Sequence, residues 1–183
     1  MYPPAEDSYF LREEVKKYLS TISSEKRKKS KVLDMGSGSG IQAEACLQAG
    51  VPKKNILAAD LDKEVMLSLK KRGFRAIHSN LFSKIKQKFD LIIFNPPYLP
   101  ADPKEKGRDT TGGKKGYETI LKFLWRAQSH LKKEGKIFLL FSSLSKPKII
   151  KEYAKKYYHL KEKSSKKLFF EELFVIELSH NLK

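Results

Sequence analysis

Lys31-Val32-Leu33-Asp34-Met35-Gly36-Ser37-Gly38-Ser39-Gly40 is the stretch on which the reading of this chain turns. A short apolar strand, Val32-Leu33, runs into glycines at every second position, and a helix from Ile41 to Ala49, stopped by Gly50, follows. A strand that turns through glycines into a helix lets a ligand lie against backbone amides, because no side chain stands in the way. Asp60 closes the next strand, Ile56 to Asp60, where a carboxylate can accept hydrogen bonds from both hydroxyls of a ribose. A dinucleotide fingerprint would place a further glycine at position 41, which is Ile41, so the pyrophosphate spacing of a nicotinamide or flavin enzyme fails. Asp34, ahead of Gly36, suits a cationic ligand better than a diphosphate. A nucleoside cofactor follows, and S-adenosylmethionine fits these features. The competing reading is a tight βα turn with Asp60 as a helix cap.

Outward from this loop the pattern alternates between strand and helix. A helix from Lys63 to Lys71, a strand from Phe74 to Ser79 and the strongest strand, Phe89 to Phe94, come next. The near-continuous apolar run at 89–94 suits a central parallel strand covered on both faces. A helix from Tyr117 to Lys133 ended by Gly135, a strand from Ile137 to Phe141 and a helix opening near Pro147 complete the alternation. Leu168-Phe169-Phe170 and Phe174-Val175-Ile176 flank Glu171-Glu172 closely enough for a hairpin, so one antiparallel strand is expected to close an otherwise parallel sheet. Before the glycine loop, Leu11, Val15 and Leu19 fall at helical spacing after Asp7 or Ser8 as N-cap, giving an amphipathic helix over 8–20. The expected architecture is α/β, with helices on both faces of a mostly parallel sheet and residues 1–183 forming one domain.

The chain has 183 residues, a formal net charge of +17 and 40% hydrophobic residues, too apolar a mixture for disorder. Only six of the 38 basic residues are Arg, so the excess is lysine, which lacks the bidentate geometry of base readout and reads equally as attraction to RNA or an acidic partner and as a solvated surface of the kind reported for heat-adapted proteins. The longest apolar run, Ile137 to Phe141, is far short of a bilayer span, and Met1 to Asp7 lacks the blocks of a signal peptide, so a cytoplasmic protein without a membrane partner is expected. A single cysteine, Cys46, and four scattered histidines exclude a disulfide framework and give no ligand spacing for a metal.

Asn95-Pro96-Pro97-Tyr98 follows the strongest strand directly and therefore lies on the same sheet edge as the glycine loop. The prolines hold Asn95 extended and remove local hydrogen-bonding competitors. The Asn95 side-chain oxygen and the Pro96 carbonyl form a row of acceptors that can hold both hydrogens of a planar NH2 group, while Tyr98 can stack on it. Such a nitrogen is a weak nucleophile, and aligning it with a methyl group can supply about 7–11 kcal/mol. Asn80, after the third strand, can meet an adenine amino group beside Leu81, though a simple turn residue reads equally well. The insertion from Asn95 to Gly116, rich in glycine and carrying Arg108, Lys114 and Lys115, looks like a substrate loop. Glutamine, adenine and cytosine all present a planar NH2 group, so the motif alone leaves three readings open: a protein methyltransferase, an adenine N6 or cytosine N4 methyltransferase on RNA or DNA, and a silent binding scaffold.

Asp34-Met35-Gly36-Ser37-Gly38-Ser39-Gly40, Asp60 and Asn95-Pro96-Pro97-Tyr98 resemble the class I S-adenosylmethionine-dependent methyltransferases that act on amide or exocyclic amino nitrogens. Tyr2-Pro3-Pro4-Ala5-Glu6-Asp7-Ser8 and Gly112-Gly113-Lys114-Lys115-Gly116 are similar to elements of the archaeal and eukaryotic branch of the HemK glutamine methyltransferases. The resemblance implies a Rossmann-like, seven-stranded fold. It also implies that Glu6, Asp7, Ser8 and Leu61 join the glycines, Asp34, Asp60, Asn80 and Leu81 around the cofactor. Gly112, Gly113 and Gly116 would then join Asn95, Pro96 and Tyr98 around the substrate, with Pro97 part of the catalytic motif. The implied substrate is the glutamine of the Gly-Gly-Gln loop of class I release factors, and a small zinc-binding activator subunit is the implied partner. Asn80 departs from the family's usual Asp. The extra N-terminal domain of the bacterial branch is expected to be absent.

Overall fold

The computed structural model describes residues 4–98 and 116–181. Its elements in order are α1 (Glu6–Thr21), α2 (Ser24–Lys29), β1 (Val32–Met35), α3 (Ile41–Gln48), β2 (Ile56–Asp60), α4 (Lys63–Lys71), β3 (Arg75–His78) and β4 (Phe89–Phe94). They are followed by α5 (Glu118–Ala127), β5 (Leu131–Ser142), α6 (Pro147–Tyr157), β6 (Tyr158–Lys167) and β7 (Glu172–His180). The strands form one seven-stranded sheet in the order β3-β2-β1-β4-β5-β7-β6. β1 to β5 run parallel, and β7 lies antiparallel between β5 and β6. This is the expected α/β architecture with its single reversed strand.

Side-chain alternation along the strands builds two apolar layers. On one face Val32, Ile56, Leu91 and Ile93 pack with Leu11, Val15 and Leu19 of α1 and with Ala43 and Leu69 of α3 and α4. On the other, Leu33, Ile92, Phe94 and Leu139 pack with Ile120, Phe123 and Leu124 of α5 and Ile150 of α6. Among the described residues no helix is long and apolar enough to cross a membrane.

Three local expectations are corrected. Helix α1 starts at Glu6 with Ala5 as N-cap and no side-chain cap, because the Asp7 and Ser8 side chains are engaged elsewhere, as shown below. The helix expected over 117–133 stops at Ala127, passes through a 3-10 turn at Gln128–His130 and becomes β5 at Leu131. Leu131 pairs with Phe89, and the register then shifts, so Gly135 lies inside the strand rather than at a helix end. A Cβ on Gly135 would stand 2.9 Å from the carbonyl oxygens of both Lys132 and Phe89, so this bulge has no room for a side chain. Finally, Leu168-Phe169-Phe170 is not a hairpin arm. The arm is the lysine-rich β6, whose charged residues mark it as an exposed edge strand, and 168–171 is the turn.

Candidate active site

Because β1, β2, β3 and β4 are parallel, their carboxyl ends bring Gly36–Gly40, Asp60–Asp62, Asn80–Leu81 and Asn95–Tyr98 to one edge. The glycine loop takes left-handed backbone at Gly36, Gly38 and Gly40, with φ of 61°, 49° and 79°. A Cβ on Gly36 would meet the Phe94 ring at 3.3 Å and the Asn95 carbonyl oxygen at 3.8 Å, so the loop passes directly against the start of the Asn-Pro-Pro-Tyr segment.

Three residues without an obvious sequence signal hold this loop. The Ser37 hydroxyl donates to the Asp34 carbonyl at 2.7 Å and accepts the Ala59 N–H at 3.1 Å, clasping β1 to β2. Arg72 donates to the Ser39 carbonyl at 2.7 Å and pairs with Glu44. Gln42, at the start of α3, donates to the Ser8 carbonyl at 2.9 Å and so fastens the N-terminal segment over the loop. A fourth, Ser79, donates to the Leu81 carbonyl at 2.7 Å and holds Leu81 in left-handed backbone with φ of 48°. Serine in a turn and polar residues near a helix start are too common in sequences to have marked these positions.

The acidic residues divide by role. Asp34 is buried beneath the loop, where its carboxylate accepts the Ala43 N–H at 3.1 Å. Burial, reinforced by the Asp60 charge, pushes its carboxyl up to about 7 against the opposing Ala43 and Ser37 hydrogen bonds. Asp60 takes the Gly38 N–H at 2.9 Å on one oxygen and the Asp62 N–H at 3.0 Å on the other. It is not the helix cap: Asp62 caps α4 by accepting the Glu64 N–H at 2.8 Å and the Val65 N–H at 3.3 Å. Each Asp60 oxygen thus keeps a lone pair for a ligand. Leu61 is an exposed apolar side chain next to it, and Asn80 is exposed across the edge.

Asp7 is the hub of the remaining half. Its Oδ2 accepts from the Asn95 amide nitrogen at 3.1 Å and from the Tyr98 hydroxyl at 3.3 Å, while its Oδ1 accepts the Ser8 N–H at 2.6 Å. The Ser8 hydroxyl accepts a second bond from the Asn95 nitrogen at 3.3 Å. A carboxylate can only accept, so Asp7 fixes which end of the Asn95 amide faces it. The other end, Oδ1, is buried and has no hydrogen-bond partner among the described residues. A buried acceptor without a donor is costly, and a ligand N–H would satisfy it. Glu6 points to a different contact, an ion pair with Lys166 at 3.8 Å. Gly116 is described, with φ of 82°, whereas Gly107, Arg108, Gly112, Gly113, Lys114 and Lys115 lie outside the described residues.

The methyltransferase small domain family matches residues 16–169. The chain belongs to that family. A Methanocaldococcus jannaschii protein named as a protein N5-glutamine methyltransferase is 32% identical to this methyltransferase over 188 residues, covering 96% of this chain and 90% of its own. In structure, the methyltransferase resembles the E. cuniculi Mtq2–Trm112 complex, described as responsible for methylation of the eRF1 translation termination factor. The TM-score is 0.76 at 23% identity, with 98% of each chain covered, which shows the shared fold. The T. thermophilus 16S rRNA N2 G1207 methyltransferase RsmC, solved with AdoMet and guanosine, has the same fold. It matches at a TM-score of 0.68 and 20% identity over 98% of this methyltransferase and 44% of the RsmC chain.

Proposed function

We propose that this methyltransferase uses S-adenosylmethionine to methylate the side-chain amide of the glutamine in the Gly-Gly-Gln motif of a class I release factor. The observation that carries the reading is Asn95 Oδ1 beside the glycine loop, a buried acceptor turned away from Asp7 and without a donor among the described residues.

The residues present fit the cofactor. Asp60 retains acceptor capacity for ribose hydroxyls, the exposed Leu61 offers an apolar surface for a base, and Gly36 to Gly40 leave backbone open to close approach. Asp7, Asp60 and Asp62 make this edge locally acidic in a chain of net charge +17, which favours a sulfonium over a phosphate. When bound, S-adenosylmethionine supplies an electrophilic methyl group.

The chain's own residues then act on the acceptor. Asn95 Oδ1 accepts one amide hydrogen and the Pro96 carbonyl the other, which turns the nitrogen toward the methyl carbon. The same two oxygens stabilise the positive charge that develops on the nitrogen. Asp7 keeps Asn95 from rotating its NH2 end into that position, and Tyr98, tied to Asp7, supplies a flat wall for the amide plane.

The release factor enters as substrate because the Methanocaldococcus relative is named for glutamine N5 chemistry and the E. cuniculi complex for a termination factor. A small zinc-binding activator would complete the enzyme by covering the β3 edge, and the setting would be the cytoplasm. One observation favours a second acceptor class, the exocyclic amino group of a nucleic-acid base: the net charge of +17. Incubation with radiolabelled S-adenosylmethionine and the release factor, its Gln→Ala variant or bulk RNA separates the two. Label on the factor that disappears in the Gln→Ala variant is the expected result. Label that persists in the variant, or that is nuclease-sensitive, overturns the proposal.

A further inference from the structure

Strand β6 runs parallel to β5, since both lie antiparallel to β7, so the β6–β7 turn projects from the same carboxyl edge as Asn95. The turn is fastened on both sides. Lys166 contacts Glu6 at 3.8 Å, next to the Asp7 that holds Asn95. The Glu172 N–H donates to the Ser143 hydroxyl at 3.0 Å, joining the turn to the segment after β5, where Leu144 is exposed.

The Leu168 N–H donates to the Glu171 carbonyl at 2.8 Å and closes a two-residue loop consisting of Phe169 and Phe170. Such loops favour Asn, Asp or Gly with positive φ, yet neither phenylalanine has positive φ, so turn chemistry does not account for the pair. The two side chains are 92% and 86% exposed. Their rings meet edge to face at 4.6 Å and 78°, forming one compact apolar knob rather than flat open platforms.

The place and shape of the knob select its occupant. It stands on the edge from which an acceptor must reach Asn95. Its two rings, packed edge to face, present one protrusion rather than a platform for successive bases, between flanking charges of both signs at Lys166, Lys167, Glu171 and Glu172. An apolar hollow on a protein suits it, since buried aromatic anchors dominate protein recognition. We infer that the Phe169–Phe170 turn is a docking finger that seats in an apolar hollow of the protein carrying the acceptor amide, and so sets how that protein approaches Asn95. This inference rests on the protein-acceptor reading above.

The test is the double variant Phe169→Ala/Phe170→Ala in the full chain, with its dissociation constants for the whole release factor and for S-adenosylmethionine measured alongside labelling. The side chains are exposed, so folding should be preserved. Factor binding is expected to weaken at least about tenfold with cofactor binding unchanged, and Phe→Leu at both positions is expected to restore most of it. Unchanged factor affinity, or equal loss toward factor and cofactor, overturns the inference alone. A wild-type enzyme that labels RNA and no release factor overturns the reading beneath it, and the inference with it.

Discussion

At the scale of single residues, Asn95 and Asp7 divide one task. Asn95→Ala removes the acceptor at the nitrogen and is expected to lower kcat about 10²–10³-fold, the range for deleting one preorganised polar group, while the dissociation constant for S-adenosylmethionine stays within a few-fold. Asp7→Asn keeps the shape but lets the new amide donate as well as accept, so it no longer dictates the Asn95 orientation. Its kcat should fall less than that of Asn95→Ala, and the loss should not add to it in the double variant. Steady-state kinetics with equilibrium binding of the cofactor reads all three variants. Asp34 makes a different prediction. Its folded carboxyl titrates near 7 instead of 3.8, so between those values the folded chain holds a proton that the unfolded chain has lost. Stability therefore falls as pH rises from about 4 to 7, by up to about 4 kcal/mol from this group, and then levels off. Asp34→Asn, whose amide oxygen can keep the Ala43 N–H, should flatten that slope in urea unfolding at pH 5 and pH 8. An unchanged slope would show that Asp34 is ionised in the folded protein throughout this range.

At the scale of elements, what the sequence discloses depends on whether the information is local. The glycine loop, Asp60 and Asn95-Pro96-Pro97-Tyr98 were legible because spacing along parallel strands fixes which ends share an edge. The long-range clasps were not: nothing in the chain order says that Gln42 reaches Ser8 or that Asp7 reaches Asn95. The two misread elements follow the same logic. Lys132-Lys133-Glu134 has helix-forming side chains, and only pairing with β4 draws this segment into β5. Likewise β6 has the charge pattern of a loop, and only β7 beside it makes it a strand. Gly135 exposes the tertiary constraint most directly. Gly135→Ala would push a methyl group against the carbonyl oxygens of Lys132 and Phe89, each 2.9 Å from the new Cβ. It should destabilise the fold by about 1–3 kcal/mol, as overpacking does. Chemical denaturation of the variant against the wild type measures that cost.

At the scale of the whole molecule, the two sheet edges are unequally protected. β6 places Lys161, Lys163, Lys166 and Lys167 along its length, a charge pattern that discourages another strand from pairing. β3, at the opposite edge, has only four residues, Arg75–His78, and its Ala76 and Ile77 are half-buried. That edge is therefore where the proposed activator subunit would gain backbone hydrogen bonds or apolar contact without displacing any described strand, and far across the sheet from the Phe169–Phe170 turn, so both partners can bind at once. A partner that binds only the folded chain stabilises it by mass action, by about 2.7 kcal/mol at one hundred times its dissociation constant. For a chain of 183 residues this corresponds to a rise in Tm of about 5–10 °C. Titrating the purified chain with its own organism's zinc-binding subunit in a thermal melt should show that rise, and Ile77→Lys, compared with its own subunit-free Tm because Ile77 also packs against the core, should show a smaller one. A Tm that does not move with added subunit would mean that the β3 edge stands uncovered in the working enzyme.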